Sequence, residues 1–202
     1  MLTPRSANRE LKRQKKANEL LMAAERLIQK SHTINGITVD LLRAEAGMAR
    51  STFYVYFEDK IDFISVLMNQ LMQETHKPVQ HWWLIADHGS IDELTSTLLE
   101  VGRVLLEHRI AYQLIVAAAL SDEHLKQSID AYHQASIQMV QQSVQKAQAG
   151  NSIRKDVTAE MTESLHWMAH SVLTGEKIIN NQEDLNRYCG ALAQIMWRTL
   201  FE

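Results

Sequence analysis

The residues best suited to chemistry in this 202-residue chain fall in two places. Residues 38–57 read TVDLLRAEAGMARSTFYVYF, two short stretches separated by Ala46-Gly47-Met48, the layout of a helix-turn-helix. Val39, Leu42, Ala46, Met48 and Phe53 can hold the two short helices inward, which leaves Arg50, Ser51, Thr52, Tyr54 and Tyr56 on the outer side. An arginine matches guanine edges, hydroxyls match phosphates or bases, and aromatic edges match the backbone and thymine methyls. That set fits duplex DNA.

The second place is Met161 to Leu173, where His166 and His170 lie four residues apart. This spacing puts both imidazoles on one helical face and can bind a metal. No cysteine or third ligand accompanies them in the sequence, so surface or core histidines are the simpler reading, and neither metal nor cofactor is expected. Glu163-x-x-His166 also matches half of the carboxylate–histidine pattern of di-metal helical bundles. The nearest second half is Asp130-x-x-His133, and no glutamate pair completes the set. An enzyme of that kind would leave the helix-turn-helix unexplained, so it is the remote alternative. Nucleotide loops, nucleophile elbows and paired Cys/His clusters are absent from the sequence.

The elements that must position these residues are helical. Only Pro4 and Pro78 occur, and from Val79 to Glu202 there is no proline. The first helix is expected from about Asn8 to Lys30, with Leu20, Leu21, Ala24, Leu27 and Ile28 as its apolar stripe. Thr38 is the expected N-cap of a helix to Glu45, Gly47 its terminator, and a second short helix runs from about Ala49 to Tyr54. Asp59 caps a helix expected to about His76. Ser90-x-x-Glu93 has the form of a capping box, Ser121 starts a helix to Ala149, and Asp156 or Thr158 starts the next. Asn181 opens the last. Gly102, Gly175 and Gly190 fall inside expected helices, where glycine costs about 1 kcal/mol against alanine and is easier to accept at close helix approaches. The whole reads as all-α, about nine helices.

Composition agrees. Apolar residues make up 46% and charged residues 22%, as in globular chains. The longest apolar run, Ile110 to Leu120, interrupted by Gln113, is too short for a bilayer, and the N-terminus shows no signal peptide. A lone Cys189 builds no disulfide framework and fits a reducing cytoplasm. Charge is divided: residues 1–60 carry 11 Lys/Arg against 7 Asp/Glu, residues 61–202 carry 10 against 17. Within the first 16 residues Arg5, Arg9, Lys12, Arg13, Lys15 and Lys16 face only Glu10. A basic head suggests a polyanionic partner, a solvated terminus being the plain alternative.

The run from Leu20 to Ile64, with LLMAAERLI, the Thr38 to Gly47 spacing and STFYVYFEDK, resembles the tetracycline-repressor (TetR) family. The resemblance implies phosphate contacts from Thr38, Thr52, Tyr56 and Lys60, with Arg50, Ser51, Tyr54 and Val55 nearest the bases. Two positions depart from the family pattern: Arg43 replaces a small residue, and Ala49 replaces the serine that often opens the recognition helix. The STFYVYF segment, Met168 and Trp197 are similar to the mycobacterial ethionamide-resistance repressor branch, which implies a long apolar channel.

These readings give a helix-turn-helix domain at 1–60 and a ligand-binding and dimerisation domain at 61–202. The expected partners are double-stranded operator DNA and a small apolar or aromatic effector, and the resemblance implies a second copy joined through the last two helices, about 157–179 and 182–201. His166, Trp167, Trp197, Tyr112 and Leu105 are the candidate effector residues; filling of the core is the alternative for each aromatic and methionine. A DNA-binding dimer with no effector stays open beside this reading, and no membrane is expected.

Overall fold

The computed structural model describes residues 4–86, 88–175 and 178–202, with side chains from Asn8 onward. Among these residues the chain forms nine α-helices and a 3-10 turn, with no strand. In order they are α1 (Pro4–Gln29), the 3-10 turn (Ile34–Gly36), α2 (Val39–Glu45), α3 (Arg50–Tyr56) and α4 (Lys60–Ile85). Then come α5 (Ile91–Glu107), α6 (Arg109–Ala119), α7 (Glu123–Ala149), α8 (Ala159–Thr174) and α9 (Gln182–Leu200). No helix among the described residues is long and apolar enough to cross a membrane.

Local chemistry explains most boundaries. Thr38 caps α2, its hydroxyl accepting the Leu41 N–H, and Thr158 and Asn181 cap α8 and α9 in the same way. Ser90 and Glu93 close a reciprocal capping box at α5. Asp122, one residue beyond Ser121, caps α7 by accepting the Leu125 N–H. At the end of α2, Gly47 has φ +64°, the Gly47 N–H donates to Ala44 and the Met48 N–H to Arg43. These two bonds form a Schellman termination, which needs the left-handed residue that glycine supplies without strain.

Three boundaries depart from the sequence expectation and one was not set by it. α1 starts at Pro4 rather than Asn8, because proline in a first turn forfeits no hydrogen bond. α4 runs on to Ile85 through Pro78 rather than stopping near His76; the ring removes one donor, and the remaining ladder carries the helix past it. Between the capping box and Ser121, where the sequence set no boundary, the chain forms two helices that part at His108 (φ −101°, ψ 27°). α8 ends at Thr174, so Gly175 is a C-cap rather than an interior residue; Glu176 and Lys177, within the 157–179 helix expected from sequence, lie outside the described residues.

The chain divides into two compact units. The first contains residues up to Leu71 and His108–Ser128, and thus the whole helix-turn-helix. Its core joins Leu20, Ile37, Leu42, Phe53, Phe57, Phe63 and Leu114, all fully buried, with the Phe53–Phe57 and Phe57–Phe63 ring centroids 5.3 and 5.6 Å apart. The second contains Met72–Glu107 and Ile129–Glu202. Here α5 packs on α9 so closely that a Cβ at Gly102 would lie 2.4 Å from Leu185 Cδ1. Cys189, fully buried in this core, has its thiol pushed up to about 11 by burial.

Candidate nucleic-acid interface

α3 divides its residues by face. Phe53 points wholly into the core of the first unit, while Arg50, Ser51, Tyr54 and Val55 are exposed and Thr52 and Tyr56 half-buried. Val55 is 67% exposed, an apolar surface on the same short helix as an exposed arginine and four hydroxyl-bearing side chains. The Arg50 guanidinium stands 5.8 Å from the Tyr54 ring centroid, a cation–π approach that orders a long side chain while keeping it in solvent. Ala49 provides no side-chain cap, as its place in the sequence implied.

Two of the expected phosphate contacts have structural duties as well. The Thr38 hydroxyl accepts from Leu41 N–H at 3.2 Å and keeps its own O–H for another acceptor. Lys60 Nζ donates to the Ile37 carbonyl at 2.5 Å, linking the start of α4 to the approach to α2. Partial burial holds the Lys60 pKa below its ordinary value, and two further N–H groups remain for an anion. Arg43 donates to Asp40 at 2.6 Å, and this bond holds the Asp40 carboxyl below its usual range. The arginine charge at the departure from the family pattern is therefore matched within α2.

Three residues that fix α2 on α1 escaped the sequence reading. Glu45 accepts from Arg26 Nε at 3.0 Å and Lys30 Nζ at 2.6 Å, and Arg26 also donates to the Glu45 carbonyl. Arg26 and Lys30 lie four apart beyond the apolar stripe of α1, a spacing that could have flagged one shared acidic partner. Arg13, read in sequence only as one charge of the basic head, ties α1 to α3 and α4: it donates to the Tyr56 carbonyl at 3.1 Å and pairs with Asp62.

The candidate effector residues take part in different contacts. In the second unit His166 and Trp167 meet His133 and His170. His133 Nδ1 and His166 Nε2 share a hydrogen bond of 3.1 Å, and the His133 ring centroid is 4.6 Å from that of His170 and 4.8 Å from Trp167. Burial, followed by the neighbouring imidazole, lowers the pKa of all three histidines, His170 to about 4. His133 was visible in sequence only as half of a carboxylate–histidine pattern. Its imidazole contacts that of His166 directly, and no group of three or more ligating side chains among the described residues has an arrangement that could hold a metal. Trp197 instead stacks on Phe201, with centroids 4.2 Å apart, beside the buried Trp82, and Leu105 packs on the same core. Tyr112 belongs to the first unit. The Trp82 indole N–H is buried without a hydrogen-bond partner among the described residues.

No family model and no curated protein matches the sequence. Solved structures do resemble the fold. The fatty acid degradation regulator FadR from Bacillus halodurans has a TM-score of 0.66 at 16% identity, over 90% of this chain and 94% of that one. FadR from Bacillus subtilis, in complex with stearoyl-CoA, has a TM-score of 0.63 at 15% identity, over 88% and 96%. A member of the TetR transcriptional regulator family from Streptomyces coelicolor A3 gives 0.58 at 15% identity, over 91% of each chain. At these identities the likeness is one of fold: the chain has the all-helical architecture of these regulators over nearly its full length.

Proposed function

We propose that the chain is a DNA-binding transcriptional regulator, acting in the cytoplasm as a homodimer rather than as an enzyme. The observation that carries this reading is the division of α3, with Phe53 fully buried and Arg50, Ser51, Tyr54 and Val55 directed outward. In this reading α3 enters the major groove, where Arg50 reads a guanine and Ser51, Tyr54 and Val55 meet neighbouring base edges. Thr38, Thr52, Tyr56 and Lys60 hold phosphates on either side. A two-fold dimer sets two such helices roughly 34 Å apart on a near-palindromic operator.

The last two helices are the proposed dimer face. Trp167 on α8 and Ile195 on α9 are 39% and 48% exposed, and a Cβ at Gly190 would meet nothing within 4 Å. Large apolar side chains and an uncovered glycine suit the close approach of a second pair of helices. The effector is proposed to be a small apolar or aromatic molecule held in the second unit, in keeping with the resemblance to the ethionamide-resistance repressor branch. The partnerless Trp82 N–H favours one bearing a hydrogen-bond acceptor, since an unmet buried donor costs about 1–3 kcal/mol. Such an effector regulates by binding one DNA-affinity state more tightly than another.

Titration against the chain's own upstream DNA and a random duplex, across salt concentrations, tests the central reading. Selective binding with a steep salt slope is the expected result. Arg50→Ala should remove about 1–3 kcal/mol of discrimination at one base position. Equal loss on specific and random DNA would remove the base-reading role from Arg50, and no binding at low salt would sink the regulator reading itself.

A further inference from the structure

The core-facing row of α1 changes character along its length. Residues spaced by four, three and four positions share one helical face. On this row the sequence places Arg5, Arg9, Lys12 and Lys16, and the same row continues as Leu20, Ala23 and Leu27. The three apolar members are 0%, 0% and 4% exposed and belong to the core of the first unit. Arg9 and Lys12 are exposed, and Lys16 is half-buried beside Glu19 at 2.6 Å. α1 is one helix throughout. Its first three turns thus extend the line of a buried stripe with cations, which no apolar core could cover without a large desolvation cost.

Arg13 fixes where this basic stretch starts. It donates to the carbonyl of Tyr56, the last residue of α3, pairs with Asp62 and lies 5.7 Å from the Phe57 ring centroid. Its charge is engaged inside the unit, so Arg13 is an anchor rather than a contact. The anchor joins the basic turns to the C-terminal end of the helix whose outward face is the proposed interface. From Arg5 to Lys16 the helix rises ~16 Å, long enough to follow several phosphates of one strand.

We propose that the first three turns of α1 are a second, sequence-independent DNA surface, with Arg9 and Lys12 holding phosphates that flank the segment met by α3. This rests on the regulator reading above. It differs from it in predicting affinity without base preference, on flanking rather than central DNA.

The test is fluorescence anisotropy on a random-sequence duplex of about 40 base pairs, from about 50 to 300 mM salt. Arg9→Gln with Lys12→Gln should make the slope of log affinity against log salt shallower by about 1.8, since each phosphate contact contributes about 0.9. Its melting temperature should be that of the unaltered chain, both side chains being exposed. Removing two exposed cations from the second unit, Arg103→Gln with Lys146→Gln, should leave the slope as it was. An unchanged slope in the α1 variant overturns the proposal and leaves the regulator reading standing; an equal change in both variants overturns it in favour of net charge alone. If the unaltered chain does not bind the duplex at all, the regulator reading fails first. If the α1 variant keeps its duplex slope but loses co-sedimentation with phosphatidylglycerol-containing vesicles, the row belongs to a membrane surface and the proposal is overturned.

Discussion

The two units use reactive side chains in opposite ways. In the first, the functional groups face out: Arg50, Ser51, Tyr54, Arg9 and Lys12 are exposed, and an apolar cluster of phenylalanines lies beneath α3. In the second, the chemistry faces in: three imidazoles touch one another and a tryptophan, and Trp82 lies fully buried beside Trp83 and Phe201. An outward site can be assigned from one helix and its periodicity. An inward one exists only when distant helices meet, so His133 and His166 become partners across 33 positions of sequence.

All four tryptophans lie in the second unit, so indole fluorescence reports that unit while far-ultraviolet circular dichroism reports both. The largest effect expected is from Phe53→Ala. Removing a fully buried ring costs about 3–5 kcal/mol and should abolish duplex binding and part of the helical signal, with indole emission nearly unchanged at low temperature. A shift of emission parallel to the loss of helicity would mean that the two units melt as one.

Gly102→Ala makes the converse cut. The new methyl would fall 2.4 Å from Leu185 Cδ1 and 3.1 Å from Leu173 Cδ2, both side chains being buried with little room to turn. Overpacking of about 1–3 kcal/mol should appear in the indole-detected melt, while duplex binding by the intact protein below its transition persists. A variant as stable as the original would mean that α5 and α9 separate easily.

Acid should also distinguish the units. His170, lowered to about 4 by burial and by His133, stays neutral in the folded state where an unfolded imidazole takes up a proton near 6.5. Its contribution is complete above pH 6.5 and falls as pH drops from 6.5 towards 4. The indole-detected melting temperature should therefore fall by several degrees between pH 7 and 5, and His170→Gln should flatten that response. In the first unit Glu45 is held below its usual range by hydrogen bonds from Lys30 and Arg26. Its contribution, present above about 4.5, is lost only below that pH. The smallest effect belongs to Glu45→Gln, a slight loss of first-unit stability that added salt should erase.

What could be read from sequence follows this division. Thr38, Gly47, Ser90, Thr158 and Asn181 mark helix ends through bonds made within three or four residues, and all five act as their local chemistry required. The break at His108 has no glycine or proline to announce it, and Pro78 announces a break that does not occur. The outward face of α3 was legible because Phe53 and its neighbours alternate with helical period. The ring partners of Trp167 and Trp197, His133 for the one and Phe201 for the other, were not, because α8 and α9 both carry apolar residues on more than one face and their contacts set which aromatics meet.

The buried thiol of Cys189 gives the α5–α9 core a built-in recorder. Folded, it is fully enclosed and, with its pKa raised to about 11, almost entirely uncharged at neutral pH. Once the core opens, the same sulfur becomes an ordinary cysteine with a pKa near 8.5 and reacts readily. Because it is the chain's single cysteine, each molecule can gain one alkyl mass and no more. The rate at which that mass accumulates with iodoacetamide then measures how often this core opens under native conditions, and repeating it with duplex DNA present asks whether occupying the first unit quiets the second.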